Sequence, residues 1–270
     1  MDKKSYHGIC AWTFNSGKGG FTPPDSRPDW SNERLDTIGK IELIQDRIKP
    51  RLPSHIELGL EIHYDYEYSE DTAADIADAL FESGISLAMA TPGAHRHFAY
   101  GGIASPDPVE RQKADQYAKQ AVRLVYEKMR NAWHAEIAPT FVLWNGSFGY
   151  DLASVGIFDM YQHLKRSVAA FCAYEAELGG ELHIAIEPKP NEGHPAMLLP
   201  TVASAIVFWK KLEQECDIDL ANKGVNKEFG HSEMIGLDHV YDTVEEIDND
   251  MLTHMHINSQ GYNDRIILGG

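Results

Sequence analysis

The chain has 270 residues, 43% of them hydrophobic. That is enough to bury a core as one large domain and would suit a single (β/α)8 barrel of about 250 residues, although composition alone does not select that barrel. Its 24 Lys and Arg against 41 Asp and Glu leave a formal charge of −17 and a pI near 5.1, so the clustered cations that phosphate binding needs are missing and no nucleic-acid partner is expected.

In chain order, Tyr6–Trp12 reads as a first strand, followed by the Gly/Pro-rich segment Gly17–Pro28, a long loop on the side where a barrel carries function. Ile56–Asp65 and Ile85–Thr91 read as the next two strands, and Pro108–Trp133, rich in Ala, Gln, Lys and Val, as a helix. Thr140–Trp144 is a fourth strand. Ile157–Leu178 carries apolar residues at three- and four-residue spacing, as a helix packed on a sheet does. Leu182–Pro188, Gly224–Phe229 and Leu252–Asn258 complete seven strand candidates.

This alternation predicts an α/β chain of repeated βα units around a parallel sheet, a TIM (β/α)8-type barrel with about seven βα units present, as one domain over residues 1–270. After the seventh strand, GYNDRIILGG offers no eighth strand and helix. An open barrel would expose an apolar edge, so either a longer parent protein or another chain is expected to close the sheet, the first being favoured. Cys10, Cys172 and Cys216 follow no paired spacing and are expected to be reduced and buried. The start, MDKKSYHG, has no apolar leader, and no stretch approaches about 18 apolar residues, so a soluble, cytoplasmic protein without a membrane partner is expected.

Chemistry concentrates in two segments. HIAIEPKPNEGHP ends an apolar run in Glu187 and Lys189, two residues apart and therefore able to face the same barrel mouth. On residue types alone, a surface salt bridge at a strand terminus is the favoured reading. GVNKEFGHSEMIGLD places Glu228 and His231 three residues apart where another strand ends. Carboxylate with imidazole suits Mn, Co or Mg, but this spacing also arises by chance.

Taken together, IEPKPNE, LLPTVASAIVFWKKLE and GVNKEFGHSEMIGL resemble the corresponding stretch of xylose isomerases in order and separation. The resemblance is dense from Ile184 to about Leu237, and ICAW, EIHYD, LAMAT and FVLWNG extend it more faintly over most of the chain. It implies a divalent-metal-dependent aldose–ketose isomerase holding one or two ions of Mg, Mn or Co, with a small sugar as substrate and a homo-oligomer, tetramer or dimer, as its assembly.

Residue by residue, the resemblance makes Glu187, Glu228 and His231 metal ligands, with Glu228 bridging. Lys189 would hold a substrate oxygen and His63 would assist ring opening, with Asp65 as its partner. Asn226, Trp12 and Trp144 would contact the substrate, although ordinary core packing explains the two tryptophans nearly as well. Where the family has aspartates, this chain has Asn258 in HIN and Asn263, Asp264 and Arg265 downstream, leaving Asn258 and Asp264 as the remaining candidate ligands. Those departures favour one well-formed metal site over two. They also keep open a one-metal sugar epimerase, or a non-catalytic sugar-binding relic of the fold.

Overall fold

The computed structural model describes residues 4–14, 35–98, 100–148, 155–190 and 196–258. The expected loop Gly17–Pro28 and the candidate ligand Asp264 lie outside the described residues. The chain divides into two compact units. The first takes in Met1–Lys18, Thr22–Gly93 and Ala121–Pro139, and the second Ala94–Gln120 and Thr140–Gly270.

In the first unit, strand β1 (Ser5–Cys10) leads into a 3₁₀ turn, Ala11–Phe14, where a longer strand was expected. Helix α1 (Thr37–Leu43) starts where the Asp36 side chain accepts from Gly39 N. Strand β2 (Ile56–His63) follows, then helix α2 (Ala73–Ser83), ended by Gly84 at φ +58°, and strand β3 (Ser86–Thr91). The strands pair in parallel, β1 on β2 and β2 on β3. Gly59 leaves room for side chains of both neighbouring strands: a Cβ there would lie 2.3 Å from the Tyr6 hydroxyl and 2.6 Å from the Ala88 Cβ.

Helix α3 (Pro108–Glu127) stops short of the expected Trp133, which instead closes a separate 3₁₀ turn at Arg130–Ala132. The second unit holds strand β4 (Thr140–Leu143), the two-residue strand β5 (Ser147–Phe148), helix α4 (Val155–Leu178) and strand β6 (His183–Ile186). Strand β7 (Ala196–Met197) pairs antiparallel with β5, a small ribbon that the sequence did not announce. Helix α5 (Val202–Cys216), strand β8 (Lys223–Glu228), helices α6 (Phe229–Met234) and α7 (His239–Asp248) and strand β9 (Leu252–His256) complete it.

Strands β4, β6, β8 and β9 run parallel in that order. Every residue of β4 and β8 is buried, as expected of parallel strands covered on both faces. Helix α5 begins in a Thr201–Ser204 capping box and is tied to β8 by the Trp209 indole, which donates to the Gly224 carbonyl at 2.6 Å. Gly224 also lets the next strand approach, since a Cβ there would stand 2.3 Å from the Met251 carbonyl oxygen.

The three cysteines are unbridged thiols. Cys172 is buried as expected, but Cys216 is exposed because it ends α5 on the solvent side. Among the described residues, no helix is long and apolar enough to cross a membrane.

Candidate metal centre

Register assembles the centre. Strands β6 and β8 pair Ile186 with Val225, so the next residues along, Glu187 and Asn226, are neighbours. Between β8 and β9 the register shifts at Val225/Asn226, and the shift sets Glu228 beside His256. In a parallel pair, residues in register point to the same face, so the two side chains meet. Asn226 and Glu228, two apart on β8, share that face.

The outcome is a compact group in which Glu187, Glu228 and His256 each offer one ligand atom, all within 4.8 Å of one another. The His256 Nδ1 lies 3.4 Å from Glu187 Oε2 and 3.6 Å from Glu228 Oε2. The Asn226 amide donates to Glu187 Oε2, while its own Oδ1 is buried without a hydrogen-bond partner among the described residues. That orientation follows from charge, because an amide oxygen turned onto the carboxylate would repel it.

His231, in the first turn of α6, is buried with Nδ1 3.1 Å from the Pro188 carbonyl oxygen. A carbonyl only accepts, so Nδ1 carries a proton; Nε2 presents a lone pair when the ring is neutral and a second N–H when it is charged, and only the charged ring holds neighbouring carboxylates low. That Nε2 stands 3.2 Å from Glu228 Oε1. Lone pair against carboxylate is repulsive unless a cation or a proton lies between them. Burial pushes the Glu187 carboxyl up, but the His256 hydrogen bond and charge, with His231 and Lys189, outweigh it and hold it at about 2. Burial also acts upward on Glu228, where His231 and His256 prevail and lower it. Two ionised carboxylates beside ring nitrogens are a donor set that fits a divalent cation.

The remaining predicted residues fall as follows. Lys189 is buried, at 8% exposure, and its charge reaches Glu187. Asn258 touches the group through Glu228: its Nδ2 donates to Glu228 Oε1 at 2.6 Å and its Oδ1 accepts from Gly230 N at 2.8 Å. Trp144 packs over Gly102, where an added Cβ would lie 2.8 Å from the indole. His63 and Trp12 belong to the first unit, their rings 4.4 Å apart and edge to face.

Two residues of these clusters escaped the sequence reading. His256 stands in the HIN segment, two residues before the Asn258 that was singled out. A carboxylate hydrogen-bonded to His63 is that of Glu67, four residues on. A helix-like spacing just past a strand end was the available signal.

No protein-family model matches the chain. Its structure resembles that of a protein from Rhodospirillum rubrum provisionally assigned as a xylose isomerase, at TM-score 0.65 and 16% identity over 85% of this chain and 74% of the other. It also resembles a 3-keto-D-glucoside 4-epimerase from E. coli, at TM-score 0.57 and 15% identity over 83% and 74% of the two chains. A D-psicose 3-epimerase from Clostridium cellulolyticum H10, solved with D-tagatose, superposes at TM-score 0.59 and 17% identity over 84% and 71%. The seven parallel strands with alternating helices, and these likenesses, give the chain an α/β fold of the TIM (β/α)8-barrel type.

Proposed function

We propose that the chain is a divalent-cation-dependent sugar isomerase of the aldose–ketose type. The observation that supports this most directly is the convergence of Glu187, Glu228 and His256, with the His231 Nε2 against the same Glu228. Mg, Mn or Co would be held by these residues, with Asp264 a further candidate. When bound, the cation would stabilise negative charge that builds on adjacent sugar oxygens as hydrogen moves between C1 and C2.

Lys189 would hold one of those oxygens through its ammonium, and the Asn226 amide would orient Glu187 and meet a substrate hydroxyl through Oδ1. His63, its Nδ1 facing Glu67, would exchange a proton through Nε2 during ring opening. Trp12 and Trp144 would pack the apolar C–H face of the sugar and exclude water. An unphosphorylated sugar suits the absence of an Arg cluster or Gly-rich cradle from the motif segments.

A second reading, a one-metal sugar epimerase, is favoured by a three-residue ligand group sufficient for one cation and by the epimerase names of structural neighbours. We further read residues 1–270 as one domain of a cytoplasmic homo-oligomer. The test is metal analysis followed by incubation of the Mn-, Co- and Mg-loaded chain with aldoses and ketoses. Aldose converted to ketose supports the isomerase; inversion of a ketose at one carbon supports the epimerase. Neither product, and no stoichiometric cation, would overturn both.

A further inference from the structure

Asn258 occupies a position whose side chain is engaged at both ends. Its Oδ1 accepts from the main-chain N–H of Gly230, in the first turn of α6, and its Nδ2 donates to Oε1 of Glu228. Glu228 is the last residue of β8 and the cap of α6, and its own side chain makes no capping bond to that helix. The carboxylate of a helix-capping Glu would otherwise be free to rotate about three torsions, and a ligand must be held within about half an ångström to bind well. The amide of Asn258 removes that freedom by linking the carboxylate to the backbone two residues further on.

We propose that Asn258 is a positioning residue that fixes the Glu228 carboxylate for cation binding by way of Gly230, and that it acts through Glu228 without itself contacting the cation. An amide suits this task where a carboxylate would not. It pairs an acceptor for the peptide N–H with a donor for the carboxylate, and a carboxylate has no donor to give. The inference rests on the reading of Glu187, Glu228 and His256 as a cation site.

Asn258→Asp separates the two roles by sign. It is nearly isosteric and keeps an acceptor for Gly230, yet it loses the donor and sets one carboxylate against another. A residue that ligates the cation should bind more tightly as a carboxylate, whereas a brace should bind more weakly. The experiment is calorimetric titration of the 270-residue chain with MnCl2, using wild type, Glu228→Gln, Asn258→Ala and Asn258→Asp, with amide exchange at Gly230 followed by NMR in the metal-free proteins.

The expected result is that wild type binds Mn, Glu228→Gln weakens it, and both Asn258 variants weaken it about ten- to a hundredfold. Gly230 exchange should quicken in Asn258→Ala and stay slow in Asn258→Asp, which also shows that the latter remains folded. Unchanged affinity in Asn258→Ala, or affinity in Asn258→Asp equal to or above wild type, overturns the brace while leaving the cation site standing. No Mn binding by the wild type overturns the site itself, and the brace with it.

Discussion

One oxygen of Glu67 serves His63 twice: Oε2 accepts the His63 main-chain N–H at 2.9 Å and faces its ring Nδ1 at 3.1 Å. The other oxygen, Oε1, is 3.4 Å from the Lys40 ammonium, which is 2% exposed, and the Thr37 hydroxyl donates to the Glu67 carbonyl. Burial acts to raise the Glu67 carboxyl, but the His63 hydrogen bond and charge, with Lys40, hold it low. Carboxylate and ammonium are buried, and the half-buried His63 ring is joined to them through Glu67.

That unit predicts the effect of Glu67→Gln. Removing the charge leaves Lys40 buried without its carboxylate, which should lower stability by about 3 kcal/mol, whereas Glu67→Gln with Lys40→Met should recover most of the loss. Urea denaturation of the two variants checks this. A double variant no more stable than the single one would show that Lys40 and Glu67 are not coupled.

Cation binding should separate the imidazoles from the carboxylates. Glu228→Gln should cost about ten- to a hundredfold in Mn affinity, more than His231→Asn, because Glu228 faces both His231 and His256. His256→Gln should cost at least as much as His231→Asn, since His256 stands within reach of both carboxylates. Calorimetric titration decides the order, and His256→Gln binding like wild type would remove it from the ligand set.

Glu246, on the inner side of α7, is fully buried, and among the described residues neither carboxylate oxygen has a hydrogen-bond partner. Burial pushes it up to about 8, with the Lys227 charge pulling it down and Asp242 adding to the rise. The folded form thus keeps a proton that the unfolded chain releases near its ordinary value of 4.5. Between those two values the native state binds more protons, so stability should fall as pH rises from about 4.5 to about 8 and then level off. Glu246→Gln should flatten that slope and melt higher than wild type at pH 8. Thermal melts at pH 5 to 9 would falsify the assignment if the two proteins ran parallel.

Gly224→Ala tests the spacing on which the centre depends. The added methyl would meet the Met251 carbonyl, a main-chain atom that cannot swing aside, so β8 and β9 must separate. A cost of about 1–3 kcal/mol in stability is expected, together with weaker Mn binding as His256 moves from Glu228. Full affinity in a destabilised variant would mean that the strand spacing does not govern the site.

Much of this arrangement is written in local sequence. Short runs closed by Gly, Pro or polar residues located the seven parallel strands to within a few residues, although β8, buried throughout, carries Lys223, Asn226, Lys227 and Glu228. The family-like segments named Glu187, Glu228 and His231, which the fold gathers into one group, since residues at the ends of adjacent parallel strands share a rim. His256 and Glu67 were decided elsewhere. His256 reaches Glu228 only through the register shift at Val225/Asn226, a property of two strands together that neither segment encodes alone. Glu67 reaches His63 because the chain turns back after the strand with Asp65 at φ +60°, returning the main chain of Glu67 and Tyr68 to the His63 carbonyl. Sequence determined which residue types stand at the strand ends, because burial and periodicity act along the chain; register and turn geometry decided which of them touch, because those are set by packing between segments far apart in it.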